Sequence, residues 1–195
     1  MTMTLTLILF LFPLAYSPGP GNLYFAANGA KYGFRATIPA TTGYHLATWI
    51  VTLFIGIGFG TVLNADPRIF VAIKYAGSAY ILWLAWSVAS SKATSDTKTA
   101  SREGFVSGVL LMLLNPKAYL IIALMFSQFL QSQSWVELLW ITSVFTANNL
   151  IAFSVWTVLG DGLGRAFQSE KAAKWLNAVL GGMLGFVAVW MFIGS

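Results

Sequence analysis

The 195-residue chain contains no cysteine, which excludes a disulfide framework, a thiolate metal site and thiol redox chemistry. Charge is nearly as scarce. Eleven bases and six acids make up 9% of the residues, against about 25% in an ordinary soluble domain. So few charges cannot cover the surface of a water-soluble protein of this length. No Asp or Glu lies deep within any long apolar stretch, so neither an acid pair for general acid–base work nor an anionic oxygen cage for a metal cation is present. No phosphate loop and no serine–histidine spacing recommends an enzyme either. The bases behind the net charge of +5 are sparse and isolated. They fit a basic fringe at a membrane surface better than a stripe tracking nucleic acid. What remains is apolar: 57% of residues are hydrophobic, 15% aromatic, and mean hydropathy is +0.74.

Runs free of Asp, Glu, Lys and Arg cover residues 1–30, 36–65, 75–91, 138–160 and 175–195, and residues 104–136 carry Lys117 alone. A helix rises 1.5 Å per residue, so about 20 apolar residues cross a hydrocarbon core of roughly 30 Å. The pattern predicts an all-α integral membrane protein with six transmembrane helices, at 3–27, 38–62, 69–90, 104–129, 136–159 and 174–194. Membrane strands would alternate over about ten residues; these runs are continuous. The first has the outline of a signal peptide, Leu5–Leu14 before Ala15-Tyr16-Ser17, but no basic leader. Apolar character resumes at Leu23, Phe25 and Ala27, so it reads as a retained span.

Bases set the orientation. The connections after spans one, three and five hold Lys31 and Arg35; Lys92, Lys98 and Arg102; and Arg165, Lys171 and Lys174, against Arg68 and Lys74 on the other side. The positive-inside rule puts the eight-base loops in the cytoplasm and both termini outside. Three spans per half make any internal repeat an inverted one. The expected organisation is one transmembrane domain over 1–195, a 3+3 inverted repeat with halves at about 1–90 and 104–195 and a polar cytoplasmic linker at 91–103.

The halves share one feature. Span one is interrupted by Ser17-Pro18-Gly19-Pro20-Gly21-Asn22 and span four by Asn115-Pro116-Lys117, with Pro20 and Pro116 96 residues apart. Proline lacks an N–H and clashes with the carbonyl four residues back. Pro18 and Pro20 should therefore free the carbonyls of Leu14 and Tyr16, and Pro116 that of Met112. Unpaired backbone groups survive in a bilayer only when buried in protein or lining a wet cavity. Paired broken helices in an inverted repeat are the best pointer to a transport site. The new helix start near Gly21, Asn22 and Leu23 offers N–H groups and a positive dipole end to an anion.

Lys117 lies about 13 residues, roughly 20 Å of helix, from either end of its span, and an ammonium that deep ordinarily faces a cavity. His45 is the sole histidine; it is either a proton relay or a neutral ring bonded to a neighbouring helix. Asn148, with Asn149 and Thr146, lies mid-span in helix five. Gly56/Gly60 and Gly181/Gly185 have the spacing for close helix packing, within the core or between copies of a homo-oligomer. Trp135 and Trp175 stand at span ends as interface anchors. One ammonium, helix ends and no acid suit an anion or a zwitterion. The zwitterion's amine would fall to freed carbonyls, Asn side chains or aromatic faces such as Tyr24 and Tyr119.

The segments SPGPGN at 17–22, GFRATIPATTG at 33–43, AGSAYILWLAW at 76–86 and GVLLMLLNPKAYLIIALMFSQF at 108–129 resemble the LysE/RhtB family of amino-acid exporters, over nearly the whole chain. The resemblance implies six helices in a bacterial inner membrane and efflux of amino acids or close derivatives, driven by the proton motive force. The family pattern usually has Thr at position 17 and Pro at 127. Ser17 keeps the hydroxyl, whereas Ser127 leaves the outer end of span four open. The expectation is a secondary exporter working by alternating access, with no metal and no cofactor. Its substrate-binding residues are Ser17, Pro18, Gly19, Pro20, Gly21, Asn22, Asn115, Pro116, Lys117 and Asn148, and its proton path runs through Lys117 or His45. The partners are an amino acid, protons and the lipid bilayer, with no nucleic acid. The rival readings are a cation or metal transporter of related fold and a non-transporting membrane scaffold subunit.

Overall fold

The computed structural model describes residues 3–58, 67–90, 104–131, 134–167 and 169–193. These form eight α-helices: α1 (Met3–Tyr16), α2 (Pro20–Tyr32), α3 (Phe34–Ile57), α4 (Pro67–Ala89), α5 (Phe105–Leu113), α6 (Pro116–Phe129), α7 (Trp135–Ala166) and α8 (Glu170–Ile193). The linker 91–103 with Lys92, Lys98 and Arg102, the Gly60 half of one glycine pair, and the side chain of Lys74 lie outside the described residues.

Both interruptions fall where the sequence puts them. α1 and α2 meet at 64°, α5 and α6 at 62°. α3 and α7 are each long and apolar enough to cross a bilayer, and counting each bent pair as one crossing brings the number to four. The other two expected spans fall on α4 and α8, where the apolar stretch of α8 is the shorter Lys174–Trp190. Not every proline breaks its helix here. α1 runs through Pro13 and α3 through Pro39, each forfeiting one backbone bond. Two prolines with glycine between them end α1, and an extended Asn115 before Pro116 ends α5, since the residue before proline is driven out of the helical region. Ser127 does not disturb α6. Its hydroxyl bonds the Leu124 carbonyl at 2.8 Å and the helix continues to Phe129.

The main pairings join the halves. α2 packs along α7, α4 along α8 and α3 along α5, while α1 and α3 also lean on α7. Glycine sets these distances. A Cβ on Gly29 of α2 would strike the Thr157 carbonyl of α7, and one on Gly160 or Gly164 of α7 would strike the Ala26 or Ala30 carbonyl of α2. Gly43 of α3 and Gly108 of α5 stand in the same reciprocal relation, against the Phe105 and Ala40 carbonyls. Backbones approach so closely only where no side chain intervenes. Gly181 packs on Ala85 and Ala89 of α4 and Gly56 on Phe126 and Leu138, so both serve the interior.

The 13-residue α2 is buried from Pro20 to Gly29, as befits a helix at the centre of the bundle. The core around it draws Leu7, Leu11 and Phe25 from the first half and Ile122, Met125 and Phe145 from the second. Large apolar side chains point outward as well, among them Phe54, Trp86 and Phe186, each at least 70% exposed. Such a surface fits a lipid environment rather than water. Trp135 and Trp175 are exposed at their helix ends, in keeping with interface anchors.

Candidate functional site

A helix end leaves four carbonyls without intrahelical partners, and inside a bilayer each requires another donor. At the end of α1 four side-chain donors supply this. The Ser17 hydroxyl donates to the Leu14 carbonyl at 3.1 Å, and Asn22 Nδ2 to that of Ala15 at 2.9 Å. Trp156 Nε1 reaches from α7 to the Tyr16 carbonyl at 3.2 Å, and Lys117 Nζ from α6 to that of Ser17 at 2.8 Å. Lys117 also donates to the Ser17 hydroxyl oxygen at 2.9 Å. A Cβ on Gly19 would lie 2.9 Å from Lys117 Nζ and 2.9 Å from its Cδ, so glycine there makes room for the lysine stem.

The second break is closed in a similar way. The Asn115 N–H bonds the Met112 carbonyl at 3.1 Å, and the Tyr119 hydroxyl donates to the Leu113 carbonyl at 2.9 Å. Asn115 Nδ2 donates to the Tyr44 hydroxyl oxygen at 2.9 Å. The carbonyls of Leu14, Tyr16 and Met112, expected to be freed by the prolines, each accept a hydrogen bond from elsewhere.

The two breaks face one cavity of about 10 Å³, room for roughly one water molecule. Leu14, Ala15 and Asn22 line it from the first break, and Asn115, Lys117, Ala118 and Ile121 from the second. Tyr44 of α3 and Phe145, Asn149 and Phe153 of α7 complete the wall. Lys117 is therefore the ammonium the sequence places at this depth, and it ties the breaks together.

Other expected residues fall differently. Gly19, Pro20 and Gly21 are buried at the start of α2, with Phe153 and Tyr44 against Gly21. Ser17 and Pro116 are half-buried beside the wall, while Pro18 is exposed. Asn148 is buried with Nδ2 unpartnered, yet it is the neighbouring Asn149 that reaches the cavity. His45 is buried behind the wall, its ring against Tyr44 and Phe153. Its Nδ1 bonds the Thr41 carbonyl of its own helix at 2.8 Å, and the ring also lies against the Asn149 backbone of α7. Tyr24 and Tyr119 do not line the cavity; the aromatic wall is Tyr44, Phe145 and Phe153. The sequence named Asn149 only beside Asn148 and did not single out Tyr44 or Phe153 as site residues. Their one signal was being large or polar in mid-span, which many residues here share.

With this geometry in view, likeness to known proteins decides the family. The model of the LysE type translocator family matches residues 12–195. The chain belongs to that family. This LysE-type chain is thus a translocator and not an enzyme. It is 31% identical over 182 residues to a protein of Salmonella choleraesuis (strain SC-B67) named cysteine/O-acetylserine efflux protein, covering 91% of each chain. The protein of the same name in Escherichia coli (strain K12) is 30% identical over 182 residues, again 91% of each. An uncharacterized membrane protein of Vibrio cholerae serotype O1 is 29% identical over 176 residues, 86% of this chain and 85% of that one. No solved structure matches this chain.

Proposed function

We propose that this LysE-type protein exports small amino acids, or close derivatives such as O-acetylserine, across the bacterial inner membrane. The family and the efflux relatives support an amino-acid exporter. One observation carries the mechanism: the Lys117 ammonium bridges two broken helices a hundred residues apart in sequence, at the wall of a shared cavity. The pair forms when α1 and α6 are drawn together. A substrate carboxylate, which binds an ammonium more strongly than a neutral carbonyl does, competes with Ser17 for Lys117. The N-terminal dipole of α2, with Asn22 on the wall, adds to the attraction.

A cavity of about 10 Å³ cannot hold an amino acid, so entry requires the elements around it to part. In our reading the chain forms six spans as a 3+3 inverted repeat in one domain, with both termini periplasmic, and the halves rock about the two breaks. Export is driven by the proton motive force, with the proton carried by Lys117 or, behind it, His45. Proteoliposomes loaded with a panel of amino acids that includes L-cysteine, O-acetyl-L-serine and L-lysine test this. The wild-type protein is expected to release the small neutral members, faster when a pH gradient is imposed, and Lys117→Met to lose release. Undiminished transport by Lys117→Met would remove that residue from the mechanism. Failure of the wild type to move any amino acid would remove the substrate class.

A further inference from the structure

If the substrate is a zwitterion, its ammonium needs acceptors as well as a cavity. The backbone acceptors at the breaks are already engaged: the carbonyls of Leu14, Ala15, Tyr16 and Ser17 each accept from a side chain, and Met112 and Leu113 are bonded at the second break. Lys117 and the N-termini of α2 and α6 disfavour a cation, so side-chain oxygens have to supply its contacts. The ammonium must therefore turn to the rest of the wall.

Asn115 Oδ1 is the lining acceptor that, among the described residues, is sealed from solvent without a partner. Asn115 is only 3% exposed, and its position makes the bare oxygen informative. It occupies the N-cap of α6, where an asparagine side chain ordinarily accepts from the N–H of the second or third helical residue. No such bond is made. The side chain instead donates through Nδ2 to Tyr44, which leaves Oδ1 without a partner on a residue that lines the cavity. Forgoing a local cap in favour of an empty buried acceptor is destabilising unless another donor arrives. The Tyr44 hydroxyl, on a ring 1% exposed, accepts one bond from Asn115 and keeps a second lone pair. The Phe145 and Phe153 rings add apolar faces of the kind that attract a cation.

Building on the exporter reading above, we propose that Asn115 Oδ1 and the Tyr44 hydroxyl oxygen receive the substrate's ammonium while Lys117 receives its carboxylate. The two poles of the site are then carried two residues apart at the start of α6. Both ammonium acceptors are neutral. An amine without a carboxylate is held by them alone and repelled by Lys117, so the site selects the zwitterion over either half of it.

The probes are L-cysteine, 3-mercaptopropionate, which lacks the amine, and L-cysteinamide, which lacks the carboxylate. Each competes with labelled L-cysteine for transport by the full chain in proteoliposomes under reducing conditions; the cysteine-free protein cannot exchange thiols with them. The wild type is expected to prefer L-cysteine to either analogue by about tenfold or more, the weight of one charge-assisted hydrogen bond. In Asn115→Leu and Tyr44→Phe the preference over 3-mercaptopropionate collapses to about twofold while that over L-cysteinamide persists. Asn115→Asp, which restores an acceptor at the same place, retains preference for the amine-bearing probe. Tyr44→Phe keeps the ring, so it reports on the hydroxyl even if Asn115→Leu fails to assemble. Full preference over 3-mercaptopropionate in Tyr44→Phe and Asn115→Leu would overturn the assignment, as would its absence in the wild type. Failure of the exporter reading looks different: no amino acid of the panel moves at all.

Discussion

The α2–α7 contact makes a sharp prediction, because one helix carries both the test positions and their control. Gly160, Gly162 and Gly164 lie within five residues of α7. A methyl group on Gly160 would drive into the Ala26 carbonyl and one on Gly164 into that of Ala30, whereas one on Gly162 meets nothing within 4 Å. Each glycine-to-alanine change brings the same gain in helix preference, about 1 kcal/mol at an interior position. That gain cancels in the comparison. What remains is the collision, and overpacking of a tight contact costs about 1–3 kcal/mol. The obstacle in each case is backbone, which yields only if α2 moves as a body, so the upper part of that range is expected. Denaturation of purified protein in mixed micelles, titrated with SDS and followed by the tryptophan fluorescence, gives the three stabilities on one scale. Gly162→Ala should match or exceed the wild type, and Gly160→Ala and Gly164→Ala should fall below Gly162→Ala by the stated amount. Equal stability of Gly160→Ala and Gly162→Ala would refute the argument that glycine lets these helices touch through their backbones.

Three further outcomes follow from the breaks and the topology. Trp156→Phe removes the donor to the Tyr16 carbonyl and should cost about 0.6–1.7 kcal/mol, the range for hydrogen bonds between membrane helices, measured by the same SDS titration. Restoring helix formers with Pro18→Ala and Pro20→Ala together should straighten the first break and abolish amino-acid release from loaded vesicles, whereas a scaffold protein would keep its activity. For orientation, Thr4→Cys and Ser90→Cys in the naturally cysteine-free chain can be labelled with a membrane-impermeant maleimide. Thr4→Cys is expected to react from the periplasmic side and Ser90→Cys only after the membrane is opened.

The sequence goes a long way toward the fold because the deciding physics is local. Scarcity of charge marks the apolar runs, and proline and glycine act on the carbonyls and torsions beside them. Both breaks therefore stand where Pro18-Gly19-Pro20 and Asn115-Pro116 predict. Pro13 and Pro39 show the limit of the rule: at those places the same residue leaves α1 and α3 continuous. The glycine pairs were only partly legible. Spacing singled out Gly181 but not Gly29, Gly43 or Gly108, whose closest neighbours are carbonyls of other helices. Asn148 and Asn149 are indistinguishable in sequence, and a rotation of about 100° per residue decides which one faces the cavity.

By itself, then, the sequence determined that the chain is a membrane protein, that two of its helices are broken, and that one lysine lies beside a break. It did not determine what the broken ends bond to. The donor to Tyr16 comes from Trp156, 140 residues away, that to Ser17 from Lys117, 100 away, and Asn115 finds Tyr44 across 71. Proline and glycine act on the torsions within a few residues of themselves, so their effect can be read along the chain. Hydrogen bonds between helices depend on which faces meet after packing, and only the tertiary structure decides that.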